Sequence, residues 1–278
     1  MRLNPFGGSR RTQQADAVVT GAGSGIGRAF ALELARRGGR VVCSDIDADR
    51  ARETAELVSG AGGKAFDTVC DVSSLEQVAA LADIAEEWFG KPPDVVINNA
   101  GIGRGGELVG ETSLQEWHQV LDVNLWGVIH GCHVFAPRLR AARHGSIVNV
   151  ASAAAFGSAP RMAAYNVSKA GVLALSETLA AELSGTGVTV TALCPTVVRT
   201  NILDGVEFGD ANLQNWADRL LRWTGRPPAA IARTTLDAVD HGQLYVVPQV
   251  EAKLIWQSKR LLPEPYTRAT GLLERLVR

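Results

Sequence analysis

Short apolar runs and longer amphipathic segments alternate along this chain. The longer segments carry apolar residues at helical spacing, at 28–37, 47–59, 74–89, 114–139 and 165–183. The runs are rich in β-branched residues and have the length of buried strands, at 17–20, 41–44, 65–69, 94–97, 146–150, 188–193 and 243–247. Such alternation is typical of a parallel sheet covered by helices on both faces. We therefore predict a doubly wound α/β domain with a sheet of about seven strands.

The same pattern divides the chain into three parts. Residues 1–14 are polar and predict a flexible N-terminal arm. Residues 15–250 carry the alternating strands and helices and form a single domain, and residues 251–278 form a C-terminal helical extension. Within the domain, the helix at 114–139 is predicted to break near Pro137, because proline lacks the amide hydrogen that a helix interior uses.

Composition and charge narrow the function classes. A formal net charge of −1 at pH 7 leaves no basic surface of the kind that nucleic-acid-binding proteins use, so no nucleic acid partner is expected. No apolar run reaches the roughly 18 residues of a membrane-spanning helix, and the first residues lack the apolar stretch of a secretory signal. The four cysteines lie in apolar stretches without a C-x-x-C pair, at Cys43, Cys70, Cys132 and Cys194. Buried free thiols of this kind predict a cytoplasmic protein.

A glycine cluster with the spacing G-x-x-x-G-x-G joins the first strand to the first helix. Glycines at such a junction allow a tight turn and let a pyrophosphate approach the backbone. The helix N-terminus adds unpaired N–H groups and the positive end of its dipole. The cluster therefore predicts a dinucleotide phosphate site formed by Gly21, Ser24, Gly25, Ile26 and Gly27.

Asp45 ends the second predicted strand, 18 residues beyond Gly27. A carboxylate at this place accepts hydrogen bonds from the adenosine ribose hydroxyls and repels a 2′-phosphate. The next residues are Ile46 and Asp47, so no basic side chain immediately follows. We therefore predict NAD rather than NADP, with Asp45 and Ile46 at the adenosine end. The alternative is that Asp45 or Asp47 caps the helix at 47–59.

Tyr165 and Lys169 have the i, i+4 spacing that places two side chains on one helix face. Tyrosine has a reference pKa near 10, and a nearby ammonium together with the cationic nicotinamide lowers that pKa. Tyr165 is predicted to exchange the substrate hydroxyl proton as hydride moves to or from the nicotinamide. Ser152, at the end of a strand, is predicted to hydrogen-bond the substrate oxygen. Taken singly, each residue also fits a purely structural role.

The combined motifs resemble the short-chain dehydrogenase/reductase (SDR) family, whose members have a Rossmann-type fold. The resemblance covers about residues 16–200 in the right order. It implies that Asn124 fixes a water in a proton relay through Lys169, and that Lys169 also holds the nicotinamide ribose. It further implies a set of cofactor-binding residues: Asp71, Val72, Asn98, Ala100, Gly101, Tyr165, Lys169, Pro195, Val198 and Thr200.

Two features depart from the family pattern. Thr196 stands where the family usually has glycine, and about thirty residues follow the last strand where many members end. This extension is amphipathic and basic and resembles members that act on lipophilic alcohols, ketones or steroids. Packing on the domain or on a second subunit is favoured over peripheral membrane contact, because amphipathic helices usually cover cores.

Two histidines, His130 and His133, are spaced i, i+3 on a predicted helix, but no third ligand is visible at suitable spacing. We therefore expect no metal site. The family resemblance implies a homodimer or homotetramer built partly on the helices at 114–139 and 165–183.

These features predict an NAD-dependent oxidoreductase that acts on a secondary alcohol or ketone. The segment 197–225 carries Ile202, Leu203, Val206, Phe208, Leu213 and Trp216, which favours a hydrophobic substrate. Two alternatives remain at this point. One is a dinucleotide-sensing binding protein without catalysis, and the other is a membrane-surface lipid or steroid reductase that uses NADP(H).

Overall fold

The computed structural model describes residues 10–196, 198 and 226–276. In this part of the chain, seven strands form one parallel sheet with the order β3-β2-β1-β4-β5-β6-β7. Their bounds are Asp16–Thr20 (β1), Arg40–Asp45 (β2), Lys64–Val69 (β3), Val95–Asn98 (β4), Gly145–Val150 (β5), Val188–Leu193 (β6) and Tyr245–Val246 (β7). The predicted doubly wound α/β fold is confirmed.

Helices cover both faces of the sheet. Their bounds are Gly25–Arg36 (α1), Ala48–Gly60 (α2), Leu75–Phe89 (α3), Leu114–Leu121 (α4), Gly127–Ala142 (α5), Ala154–Gly157 (α6), Ala163–Glu182 (α7), Pro228–Asp240 (α8), Val250–Leu261 (α9) and Pro263–Leu276 (α10). Successive side chains of a strand point to opposite faces. Val18 accordingly packs in one core with α3, α5 and α7, whereas Val19 packs in the other with α1, α2 and α8.

The sheet order creates a crevice at the carboxyl ends of the central strands β1 and β4. From β1 the chain runs outward through β2 and β3, and then returns to β4 on the other side of β1. The loops that follow β1 and β4 therefore diverge, and ligands of doubly wound sheets bind in the crevice that forms at such a point.

The helical segment after β4 differs from the prediction at two places. Helix α5 continues through Pro137 to Ala142, so the predicted break near Pro137 is wrong. Both Pro137 and His133, whose carbonyl would accept the missing hydrogen bond, are exposed, so water can satisfy that carbonyl. The irregularity lies earlier, at a π-helical turn over Asp122–Trp126 between α4 and α5.

Of the predicted N-terminal arm, the structure describes residues 10–14, and hydrogen bonds hold them against the domain. The Arg11 guanidinium donates to the Gly145 carbonyl at 3.1 Å. The Thr12 amide donates to Asp240 of α8 at 2.8 Å, and the Thr12 hydroxyl accepts from Arg37 at 2.7 Å. Arg37 also pairs with Asp240, at 3.3 Å.

The C-terminal extension consists of α9 and α10, and it packs beside the loop that follows β5. Trp256 stacks on Phe156 of α6, with ring centroids 4.7 Å apart and planes 10° apart. Lys259 donates to the Ser158 hydroxyl at 2.7 Å. The extension therefore covers the domain near the carboxyl end of β5.

Candidate functional site

A groove of about 430 Å³ runs along the carboxyl ends of the strands, as the sheet order predicts. The glycine turn after β1 and the end of β2 line one part of it, and the ends of β5 and α7 line the other. Many of the predicted site residues meet there: Gly21, Ser24, Gly25, Ile26, Asp45, Ile46, Asp71, Val72, Ala100, Gly101, Ser152, Tyr165, Lys169, Pro195 and Val198.

The glycine turn has the backbone that a phosphate site needs. Gly21 and Gly25 have φ angles of +63° and +53°, a region that favours glycine. A side chain at Gly27 would place its Cβ 2.0 Å from the Gly21 carbonyl, so α1 can approach the turn only because this residue is glycine. The Ser24 side chain makes no capping hydrogen bond to α1, so the first-turn N–H groups remain available to an anion.

The structure separates the roles of Asp45 and Asp47, which the sequence left open. Asp47 caps α2 and accepts from the amides of Asp49 and Arg50. Asp45 lines the groove, where its carboxylate accepts from the Gly23 amide at 2.8 Å and from the Asp47 amide at 3.1 Å.

Arg50 also lines this end of the groove, and the sequence analysis missed it. Its guanidinium pairs with Asp47 at 3.3 Å. The residues directly after Asp45 give no signal for Arg50, because it is the first turn of α2 that brings Arg50 back to the groove.

Asp71 and Val72 follow β3 and lie in the groove wall. The Asp71 carboxylate accepts from the Ser73 amide at 2.9 Å and from the Ser73 hydroxyl at 2.7 Å. The Val72 carbonyl contacts Nδ1 of His130 at 2.9 Å. These contacts fix the backbone of the loop after β3, so Asp71 and Val72 hold fixed positions in the groove wall.

The turn after β4 departs from the expectation at one residue. Asn98 does not line the groove: it is buried and donates to Asn149 of β5 at 2.8 Å. Its neighbour Asn99 lines the groove and donates to the carbonyls of Thr20 and Gly21 at 2.9 and 3.1 Å. Successive side chains of a strand point to opposite faces, so only one of two adjacent asparagines can face the groove.

Lys169, Ser152 and Tyr165 meet at the other end of the groove. The side chain of Lys169 is only 2% exposed, and its Nζ donates to the Val150 carbonyl at 2.9 Å. Nζ lies 5.7 Å from the centre of the Tyr165 ring. Burial lowers the pKa of Lys169 to about 8, and the nearby Cys194 opposes this effect.

The protein's own side chains raise the pKa of Tyr165, whereas the predicted decrease also includes the charge of a bound nicotinamide. Burial raises it, and the hydrogen bond with Ser152 only partly offsets that increase. The phenolate is costly here because a charged group loses hydration in the groove wall. The expected decrease therefore needs a cationic nicotinamide beside the phenol, in addition to Lys169.

Asn124 lies in the π-helical turn, behind the groove rather than in its wall. Its amide forms two hydrogen bonds with the backbone of Ile102, at 2.7 and 2.9 Å. Gly101 lies between Asn124 and the groove, and a Cβ at Gly101 would sit 3.1 Å from Asn124 Oδ1 and 3.5 Å from Lys169 Nζ. A π-helical turn at such a place is frequent in functional sites.

Pro195 connects the loops that follow β5 and β6. Its carbonyl accepts from the Ala153 amide at 2.8 Å and from the Ser152 hydroxyl at 3.4 Å. Val198 lies in the groove wall and forms an isolated bridge with Arg226. Thr200, and the apolar segment 199–225 with the remaining predicted pocket residues, lie outside the described residues.

The described residues contain neither a metal-ligand cluster nor a helix that could span a membrane. Within residues 10–196, 198 and 226–276, no cluster of three or more His, Cys, Asp or Glu side chains has a geometry suited to a metal ion. The helices in that part of the chain include none that is long and apolar enough to span a membrane.

One family model and several known proteins are similar to this chain in sequence. The family model for "short chain dehydrogenase" matches residues 15–208. The "Putative oxidoreductase SadH" of Mycobacterium tuberculosis is 33% identical over 258 residues, which cover 91% of this chain and 92% of SadH. The "D-threitol dehydrogenase" of Mycolicibacterium smegmatis is 40% identical and covers 67% of this chain and 71% of its own length.

Another relative is much longer than the region it shares with this chain. The "Probable oxidoreductase EphD" of Mycobacterium tuberculosis is 45% identical over 191 residues, which cover 68% of this chain but 32% of EphD. The chain therefore spans about a third of the length of that relative.

Solved structures show the same architecture. A short-chain dehydrogenase/reductase from Burkholderia phymatum, crystallised with NAD, superposes with a TM-score of 0.82 at 35% identity, over 88% of this chain and 92% of its own. Levodione reductase superposes with a TM-score of 0.79 at 25% identity, over 85% and 97%. Because the family model matches well over half of the chain, and SadH resembles it over nearly its whole length, the chain belongs to the short-chain dehydrogenase family of oxidoreductases.

Proposed function

We propose that this protein transfers a hydride between NAD and a secondary alcohol or ketone. The observation that carries the proposal is the placement of Ser152, Tyr165 and Lys169 at one end of a groove whose other end holds Asp45. A dinucleotide has an adenosine half and a nicotinamide half, and each end of the groove has residues suited to one of them. Two similar proteins, a D-threitol dehydrogenase and a levodione reductase, are named for chemistry of the same class.

The residues at the Asp45 end fit the adenosine and phosphate parts of NAD. The uncapped first turn of α1 would hold the pyrophosphate, and the Asp45 carboxylate would accept hydrogen bonds from the ribose hydroxyls. Asp71 and Val72 would contact the adenine. Ala100 and Gly101 would pack on the cofactor beyond the glycine turn. A 2′-phosphate would meet the Asp45 carboxylate, which disfavours NADP.

The residues at the other end fit proton transfer. When bound, the nicotinamide supplies the acceptor or donor of the hydride. Tyr165 takes the hydroxyl proton in oxidation and returns it in reduction, because its hydroxyl is hydrogen-bonded to Ser152 and both residues line the groove. Ser152 stabilises the charge that develops on the substrate oxygen. Lys169 favours the phenolate and holds the nicotinamide ribose, and Asn124 fixes a water that continues the proton relay through Lys169.

We propose a hydrophobic substrate on the basis of the apolar residues in segment 197–225. The relatives indicate a wider range of substrates in the family, since one of them is named for the polyol threitol. The four described cysteines are free and buried, which supports a reducing compartment such as the cytoplasm.

The test is nicotinamide absorbance during incubation with NAD⁺ or NADP⁺ and secondary alcohols that range from polyols to steroids. We expect turnover with NAD⁺ that rises with substrate hydrophobicity. Turnover on threitol-like polyols alone would contradict the hydrophobic substrate. NADH binding without turnover on any alcohol or ketone would contradict the catalytic proposal and favour a dinucleotide-sensing protein.

The preference for NAD is tested by Asp45→Ser. Removal of the carboxylate removes its repulsion of the 2′-phosphate and leaves Arg50 in the groove wall to attract it. We expect the affinity ratio of NADPH to NADH, measured by fluorescence titration, to rise about 100-fold. Asp49→Ser is the matched control, because Asp49 is an exposed carboxylate of the neighbouring helix α2 and lies outside the groove. An unchanged ratio in Asp45→Ser would contradict the assignment.

A further inference from the structure

The start of the C-terminal extension reaches into the loop that follows β6. The Thr196 hydroxyl donates to the carboxylate of Glu251 at 2.8 Å. The Thr196 amide donates to the side-chain carbonyl of Gln249 at 3.1 Å. Both polar hydrogens of one loop residue are therefore held by the first residues of α9.

The position and burial of Gln249 suit its side chain to accept the hydrogen bond from the Thr196 amide. Gln249 is the N-cap residue of α9, but its side chain makes no capping hydrogen bond to that helix. The residue is only 1% exposed. A buried amide needs hydrogen-bond partners, and Gln249 meets part of this need at Thr196 instead of at its own helix.

Thr196 lies in the wall of the groove, at the end that holds the proposed proton-transfer residues. It directly follows Pro195, whose carbonyl accepts hydrogen bonds from Ser152 and Ala153. The position of the loop after β6 is therefore set from two sides. The loop after β5 holds it at Pro195 through Ser152 and Ala153, and the N-terminus of α9 holds it at Thr196.

Independent contacts fix the extension itself. Besides the stacked pair of Phe156 and Trp256, the Arg161 guanidinium pairs with Glu274 of α10 at 2.9 Å. Arg161 also donates to the Gly106 carbonyl at 2.8 Å. Because α9 and α10 are anchored away from Thr196, Glu251 and Gln249 present a fixed pair of acceptors to the loop.

We propose that Glu251 and Gln249 are positioning residues that act through Thr196 and set the nicotinamide half of the cofactor groove. Thr196 replaces the glycine that is usual in the family, so the hydroxyl gives this chain an attachment point for its extension. The inference rests on the proposed dinucleotide site and deepens it. The C-terminal extension is then part of the active site and more than a cover of the domain.

The test compares the binding of NADH and of ADP by titration calorimetry on the full chain. ADP contains only the adenosine and phosphate part, so it reports on the end of the groove away from Thr196. We expect Thr196→Val and Glu251→Ala each to weaken NADH binding about tenfold, the factor for one lost hydrogen bond to a charged acceptor. ADP binding should stay at the wild-type value.

Conservative and control variants sharpen the test. Thr196→Ser and Glu251→Gln keep a donor and an acceptor, so each should retain NADH binding within about threefold of wild type. Glu264→Ala removes an exposed carboxylate of α10 and should leave NADH binding unchanged. The double variant Thr196→Val with Glu251→Ala should lose about tenfold rather than a hundredfold, because both changes remove the same contact.

Three outcomes would overturn the inference: wild-type NADH affinity in both Thr196→Val and Glu251→Ala, an equal loss of ADP and NADH affinity, or an equal loss in Glu264→Ala. The proposed function fails in a different way. If the wild-type protein bound neither NADH nor ADP, the dinucleotide site itself would be wrong, and this inference would fall with it.

Discussion

At the residue scale, the phenol of Tyr165 is the group on which the proposed chemistry depends. Tyr165→Phe removes the proton that the substrate oxygen exchanges but keeps the ring that packs in the groove wall. We expect turnover to fall by about 10²- to 10⁴-fold, with NADH affinity unchanged. Steady-state kinetics and fluorescence titration measure the two effects. Tyr245→Phe is the control, since that hydroxyl bonds Glu177 away from the groove.

The buried ammonium of Lys169 makes the stability of the ligand-free protein depend on pH. Burial lowers its pKa to about 8, whereas an unfolded lysine titrates near 10.4. Between these values the unfolded state holds a proton that the folded state has lost, so the contribution of Lys169 to the free energy of unfolding rises with pH. The four buried thiols contribute in the opposite direction, because burial raises their pKa values above those of unfolded cysteines. At 1.36 kcal/mol per pKa unit, the contribution of Lys169 grows by about 1 kcal/mol from pH 7 to pH 9.

Urea unfolding at pH 7 and pH 9 tests this effect. Relative to wild type, Lys169→Met should lose about 1 kcal/mol of unfolding free energy between pH 7 and pH 9, because the titrating ammonium is absent while the buried thiols are common to both proteins. Lys64→Met, a change on the exposed edge strand β3, should behave like wild type. Identical pH dependence in wild type and Lys169→Met would show that Lys169 keeps its ordinary pKa.

At the element scale, the approach of α5 to β4 depends on Gly131. A Cβ there would lie 2.1 Å from Oδ1 of Asn98. Asn98 cannot move freely, because it bonds Asn149, which in turn bonds Ser176 at 3.0 Å. This buried chain of polar side chains ties β4, β5 and α7 together behind the groove.

We therefore expect Gly131→Ala to lower the free energy of unfolding by about 2 kcal/mol, as overpacking of a filled core does. Gly271→Ala is the matched control: it lies in helix α10 with no atom within 4 Å of the added Cβ. That change should stabilise the protein by about 0.5 to 1 kcal/mol, because alanine favours the helix over glycine. Calorimetric unfolding of both variants measures the contrast, and equal effects would contradict it.

At the scale of the whole molecule, we propose that the protein is a homodimer or homotetramer built partly on α5 and α7. Trp126 at the π-helical turn and Val167 on α7 are each 50% exposed. Large apolar side chains on adjacent helices support an interface, because monomers rarely leave contiguous apolar patches in water.

Light scattering with size-exclusion chromatography tests this proposal. We expect wild type to have two or four times the chain mass, and the double variant Trp126→Glu with Val167→Glu to have a smaller mass. Leu272→Glu is the control, because it charges an exposed leucine of the C-terminal extension instead. A monomeric wild type, or a loss of mass only in Leu272→Glu, would contradict the proposed interface.

The alternating pattern of apolar runs was enough to predict the parallel sheet and all seven of its described strands. The order of motifs from Gly21 to Lys169 was enough to place the chain in its family. Both predictions use the spacing of residues along the chain. This spacing follows the repeat of each helix or strand, which decides which residues of one element lie side by side. The sequence therefore determined the fold class, the family and the loops that form the groove.

Only the tertiary structure decided which neighbouring side chain faces the groove and what surrounds it. In the tertiary structure Asp45 lines the groove, whereas Asp47 caps α2. Asn99 lines the groove and Asn98 does not. The carboxylate of Glu251 accepts a hydrogen bond from Thr196. The tertiary structure also gave the direction of the Tyr165 pKa. These properties depend on burial and on contacts between residues far apart in sequence, because desolvation and hydrogen bonding arise only when packing brings such residues together.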